Sequence, residues 1–304
     1  MNALLLTLAI IVIGALLLVV ALVGGVWWHQ ERIAYQPPAE WPTPPPDVTR
    51  IDYVAGDGQR LYGYVIDPAA TPAGLLVAFH GNADLATWQI PWAREVARRT
   101  GWSVLLAEYR GYGGLTGAPT YAAVQQDARA AWRAAQDLAR GRLALPTPPF
   151  ALFGHSLGSA VAMELAAEIR ATEPRAITAV LLQSPFTTAR EMARIVSTRP
   201  VQMLWKLISR VHYDSRSRVD EIDAPIWISH GERDWLVPVA MGRELFARSR
   251  TPGELLIVRD AEHNDVAHVG GDAYWRWMSG ALTARERDPS VSESESKFRT
   301  GTSG

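Results

Sequence analysis

Three side chains far apart in the chain have the types needed to cut an acyl bond: a serine, an aspartate and a histidine. Ser156 lies in the stretch FALFGHSLGSAVAMELAA, Phe150 to Ala167. There a short apolar run suited to a buried strand gives way to Ala, Val, Met and Leu at helical spacing. Gly154-His155-Ser156-Leu157-Gly158 therefore falls on a strand-to-helix turn, the setting a G-x-S-x-G nucleophile requires. The turn is sharp enough to strain the serine backbone, and the flanking glycines let strand and helix approach closely. It also leaves the Leu157 N–H at a helix N-terminus, where a developing negative oxygen is stabilised. A chain of this length carries such a motif by chance about once in ten sequences, so Ser156 needs partners.

Candidate partners stand after other apolar runs. His80-Gly81-Asn82-Ala83 follows Leu75–Phe79, and the Asn82 N–H there could be a second donor to the oxyanion, although a Gly-Asn dipeptide also makes ordinary turns. Asp234, in HGERDWLVP after the run at Ile226, is placed to hold a histidine in one tautomer; Glu232 is its rival, and an N-cap or turn aspartate is the other reading. His263, in AEHND after the run ending at Val258, sits in the last loop, with an unperturbed pKa suited to moving protons near neutrality. His268 is the alternative base and His230 a weaker one. The chain order of nucleophile, acid and base is then Ser156, Asp234, His263, each after a separate strand.

The elements that must carry these residues are legible as a pattern. Ile51–Val54 and Leu61–Val65 flank Gly56-Asp57-Gly58, a hairpin signal. Apolar runs then alternate with helical stretches: Leu75–Phe79, Ser103–Ala107, Phe150–Phe153, Ala179–Leu182, Ile226–Ser229 and Leu255–Val258. The fold class is α/β, a mostly parallel sheet with helices on both faces and chemistry at the carboxyl ends of the strands.

Composition narrows the chemistry. The 304 residues are 48% hydrophobic and 20% charged, with a formal net charge of -1, which gives no electrostatic footprint for nucleic acid. There is no cysteine, which excludes thiol nucleophiles, disulfides and thiolate metal sites. The only lysines are Lys206 and Lys297, and no H-E-x-x-H spacing occurs, so neither metal nor cofactor is expected.

The set FHGNA, EYRGYGG, GHSLGSAVAMELA, QSPFTTA, HGERDWLVP and EHND resembles the α/β-hydrolase superfamily over roughly residues 50 to 280. It is most similar to the superfamily's membrane-anchored, Bem46-like serine hydrolases, the kind of the α/β-hydrolase domain-containing proteins 13 and 17. The resemblance implies Ser156, Asp234 and His263 as a triad, the N–H groups of Asn82 and Leu157 as oxyanion hole, and a structural role for Tyr109–Gly113. It implies an ester or thioester hydrolase and leaves the substrate open; a serine peptidase on the same fold, or a catalytically silent binding protein, are the alternatives.

Outside that domain, Ala3–Trp28 has no charged residue and is long enough to span a bilayer, with Trp27-Trp28 as an interfacial anchor. The organisation expected is a transmembrane anchor over 1–30, a stiff Pro-rich spacer over 31–47 that holds the domain off the membrane, the hydrolase domain over 48–284, and a disordered Ser/Glu tail over 285–304. A short cap is expected over about 187–221. Leu204, Leu207, Ile208 and Val211 would give it an apolar face, among Arg190, Arg194, Arg199, Lys206, Arg210, Arg216 and Arg218. One reading is a cap whose apolar face simply covers the active site; the other is a basic cap resting on anionic headgroups, which would make the substrate a lipid ester or an acylated protein and not a small-molecule ester.

Overall fold

The structure is a computed structural model and describes residues 3–141, 149–196 and 209–283. An eight-stranded sheet runs in the order β1-β2-β4-β3-β5-β6-β7-β8. Its strands are β1 (Thr49–Val54), β2 (Arg60–Ile66), β3 (Leu75–Phe79), β4 (Ser103–Ala107), β5 (Phe150–His155), β6 (Ile177–Gln183), β7 (Ile226–Gly231) and β8 (Pro252–Val258). The hairpin β1–β2 and its junction with β4 are antiparallel; every later pairing is parallel.

Alternation along the central strands builds two core layers. Leu75, Val77 and Phe79 of β3 face one layer with Leu105 and Leu152; Leu76 and Ala78 face the other with Leu106, Ala151 and Phe153. The first layer is closed by α3 (Tyr121–Gly141) and α4 (Leu157–Thr172), the second by α2 (Ile90–Thr100) and the last helix, α7 (Val266–Thr283). Between them in sequence lie α5 (Ala189–Val196), the short helix Ser215–Arg218 and α6 (Val239–Arg248). Arg110 of the Tyr109–Gly113 loop bonds Asp127 on α3 at 2.6 Å and Asp57 of the hairpin turn at 2.6 Å, a tie between elements.

The N-terminal helix α1 (Ala3–Ala34) is long and apolar enough to cross a membrane, and none of its most apolar stretch is buried against the domain. It runs four residues beyond the expected anchor boundary, and the expected spacer is not a free one. Tyr35 is buried in the main core with its hydroxyl 3.1 Å from that of Tyr213. Trp41 covers Gly114, and Asp47 pairs with Arg94 at 2.5 Å. The physical reason is at the helix end: the orphan carbonyl of Ala34 and the N–H of Gln36 find partners on the domain, and the Tyr35 ring finds a core. Of the expected cap, α5 and the segment from 209 are described, with Val211 buried. Arg199, Leu204, Lys206, Leu207 and Ile208 lie outside the described residues, as does the Ser/Glu tail.

Candidate active site

The elbow has the geometry its glycines allow. Ser156 takes φ 51° and ψ −113°, a left-handed conformation that costs a non-glycine residue of order 1–3 kcal/mol. A Cβ at Gly154 would meet the Gly158 carbonyl oxygen at 2.1 Å, and one at Gly158 would meet that of Phe79 at 2.1 Å. Only glycines let β5, α4 and the end of β3 come together there. Ala83 (φ 51°), Ser184 (φ 49°) and Asp260 (φ 65°), after β3, β6 and β8, are strained too, while Arg175 (φ 67°), before β6, lies at the other end of the sheet.

His263 and Asp234 meet at the same end of the sheet as the elbow. The His263 Nδ1–H donates to Asp234 Oδ2 at 2.7 Å, with both side chains buried. Asp234 Oδ1 accepts the N–H groups of Leu236 (2.9 Å) and Val237 (2.7 Å), and His230 Nε2 stands 3.3 Å from Oδ2. Burial alone would raise the Asp234 pKa, but the bonds from His230 and His263 and the His263 charge outweigh it and hold the carboxyl well below the usual range. With Nδ1 taken by Asp234, Nε2 is the ring nitrogen of His263 left for proton exchange. The His263 carbonyl accepts from Ser184 Oγ (3.3 Å) and from His155 Nε2 (3.2 Å), while the His155 and His263 rings lie 5.1 Å apart. Burial pushes His155 down to about 4, the nearby His263 adding to the effect, so the residue next to Ser156 is neutral near pH 7.

The loop after β3 faces the elbow directly. A Cβ at Gly81 would lie 3.5 Å from Ser156 Cβ and 3.0 Å from His155 Nδ1. His80, fully buried, donates Nδ1–H to the Gly81 carbonyl (2.8 Å) and Nε2–H to Glu108 Oε1 (2.7 Å). Both ring nitrogens face acceptors, so the imidazole is protonated; burial opposes this and the Glu108 carboxylate overrides it, raising the pKa. Holding the Gly81 C=O fixes the plane of the Gly81–Asn82 peptide, whose N–H points the opposite way in a trans bond. The Asn82 side chain is held as well: Nδ2 donates to the Ala34 carbonyl (2.7 Å), and Oδ1 accepts from Gln36 N–H (2.9 Å) and Tyr112 OH (2.7 Å). The other candidate donor, the Leu157 N–H, opens α4, where no helical carbonyl can reach it.

The structure thus brings Ser156, Leu157, Asn82, Asp234 and His263 to the carboxyl ends of β5, β3, β7 and β8. It does not bring in the rivals: Glu232 and His268 are exposed, and His230 supports Asp234 from behind while Nε2 also contacts the Val237 carbonyl at 2.9 Å. Two residues escaped sequence reasoning, Glu108 and the charged state of His80. The signal for Glu108 was an acidic residue directly after the apolar run Ser103–Ala107.

Residues 70–217 match a family model described as serine aminopeptidase, S33. Over 281 residues the chain is 31% identical to Uncharacterized protein Rv2307c of Mycobacterium tuberculosis, covering 86% of this chain and 93% of that one. It is 28% identical over 195 residues to Alpha/beta hydrolase domain-containing protein 17B of Homo sapiens, covering 64% and 62%. An esterase of Pyrococcus furiosus has the same fold, with a TM-score of 0.63 at 19% identity over 82% of this chain and 97% of that one. The chain belongs to the α/β-hydrolase superfamily and is a hydrolase.

Proposed function

We propose that the protein is a membrane-anchored serine hydrolase that cleaves a carboxylic ester or thioester through an acyl-enzyme on Ser156. The observation that carries this reading is the His263–Asp234 pair, bonded through Nδ1, at the same end of the sheet as a serine in a strained elbow. His263 Nε2 takes the Ser156 proton as the hydroxyl oxygen bonds the acyl carbon, and Asp234 stabilises the imidazolium so formed. The carbonyl π electrons move to oxygen, where the N–H groups of Asn82 and Leu157 hold the charge, each worth about 3 kcal/mol of barrier. Collapse expels the leaving group, which receives the proton from His263; water then repeats the sequence and frees the acid.

Esterase neighbours support the ester reading as a likeness of fold. The family description, serine aminopeptidase, favours a second reading in which the scissile bond is an amide. Both use the same triad and differ in leaving group. A panel of p-nitrophenyl esters, acyl thioesters and aminoacyl p-nitroanilides, run on wild type and Ser156→Ala, separates them. Turnover of esters or thioesters that vanishes in the variant supports the first reading; turnover confined to anilides replaces it with the second, and activity that survives Ser156→Ala removes both. The helix α1 is read as a retained anchor: the protein is expected to stay with membranes through alkaline carbonate, and its release would count against a spanning helix.

A further inference from the structure

The junction between α1 and the domain fixes how the site faces a membrane. The apolar part of α1, Leu5 to Trp28, is 24 residues or about 36 Å of helix, enough for a hydrocarbon core of about 30 Å. Trp27 and Trp28 are exposed, Trp28 at 71%, as expected of rings in the headgroup layer. From Trp28 the helix continues only to Ala34, six residues and about 9 Å further. It is held to the domain over that turn and a half: Gln30 Oε1 accepts the Arg210 N–H (2.6 Å), Arg210 pairs with Glu31 (3.2 Å) and lies over the Trp27 ring (5.1 Å). The Ala34 carbonyl then takes the side-chain N–H of Asn82, in the loop that faces the elbow. One residue therefore touches both the end of the anchor and the mouth of the site.

The same end of the sheet carries large apolar rings outside the core clusters. Trp88 follows β3 and is 46% exposed; Trp235 follows β7, beside Asp234, and is 73% exposed; Trp41 rests on Gly114 after β4 and is 53% exposed. Tryptophan is seldom left this open on a surface in water, and it is enriched at membrane interfaces. We propose that the face holding Ser156, Asn82 and His263 docks on the phospholipid bilayer, with Trp41, Trp88 and Trp235 in the headgroup layer and the site opening into it. This rests on the reading of α1 as a spanning anchor, and it commits the site to substrates whose acyl group partitions into the membrane.

The chain has no cysteine, so single-cysteine variants of the full-length protein each carry one nitroxide label. Leu16→Cys, Trp88→Cys, Trp235→Cys and Ala70→Cys, reconstituted in phosphatidylcholine vesicles, are compared by power saturation with oxygen and with a water-soluble nickel chelate. Ala70 lies on the exposed loop after β2, at the opposite end of the sheet, and the labelled tryptophans are exposed, so folding is not at stake. Labels at 88 and 235 are expected to shift toward oxygen and away from nickel relative to 70, between the values at 70 and 16. Nickel access at 88 and 235 equal to that at 70 overturns the docked face. So does shielding from both reagents, which would mean a second protein copy on that face. Nickel access at 16 fails the anchor itself and the inference with it, and is thereby told apart from a failure of the face alone.

Discussion

Two buried histidine–carboxylate pairs flank the elbow, each at 2.7 Å, and they do opposite things. In His263–Asp234 only Nδ1 has an acceptor among the described residues, which leaves Nε2 for proton exchange. In His80–Glu108 the second nitrogen also faces an acceptor, the Gly81 carbonyl, so the ring is locked as a cation that donates from both sides. The difference lies in the second ring nitrogen and not in the pair. A base needs an unused lone pair; a strut needs none.

The largest effect is expected on the first pair. Asp234→Asn should lower kcat by roughly 10⁴-fold, because an amide in place of the carboxylate favours the wrong tautomer of His263. Glu232→Gln and His268→Ala should turn over ester like wild type, and a loss there comparable to that of Asp234→Asn would leave the acid and base unassigned. On the second pair, His80→Gln should cost kcat about 10²-fold, the scale of one misplaced oxyanion donor, with KM little changed. It should also lower stability by about 3–5 kcal/mol, since Glu108 is left buried without its partner. Steady-state kinetics and denaturant melts read both. Asn82→Ala should have the smaller effect, about tenfold on kcat, because the peptide stays pinned by His80 while its side-chain tie to Ala34, Gln36 and Tyr112 is lost.

The pairs also differ in how they answer pH. Asp234 titrates lower in the folded state than its ordinary 3.8, so its contribution to stability is present above about pH 4 and is lost as pH falls further. His80 titrates above its ordinary 6.5, so its contribution is full below about pH 6.5 and is lost as pH rises through the raised value. Melts of wild type against Asp234→Asn and His80→Gln should therefore converge at opposite ends of the pH range. Convergence of both at the acid end would mean that His80 is neutral in the fold.

Much of this site is legible in the sequence because each functional residue follows a short apolar run that could be only a buried strand. Ser156, Asp234 and His263 fall one, three and five residues after the ends of β5, β7 and β8. The same rule points to Asn82, but only for its N–H; that its side chain would clasp the end of α1 depends on Gln36 and Ala34, 46 and 48 residues earlier in the chain. Tyr35 was hidden for the same reason, since a lone tyrosine before Pro37-Pro38 has no periodicity to mark it as core. His230 and His80 show where residue type runs out: three histidines and two acids were in view, and only the distances assign which nitrogen meets which oxygen.

The most direct measurement is to locate a covalent adduct. Full-length protein treated with a fluorophosphonate and digested should carry the phosphonyl group on the peptide containing Ser156, with labelling lost in Ser156→Ala, whose melt stays near wild type, and slowed in His263→Ala. An adduct on another residue, or equal labelling of Ser156→Ala, would contradict an acyl-enzyme at this elbow.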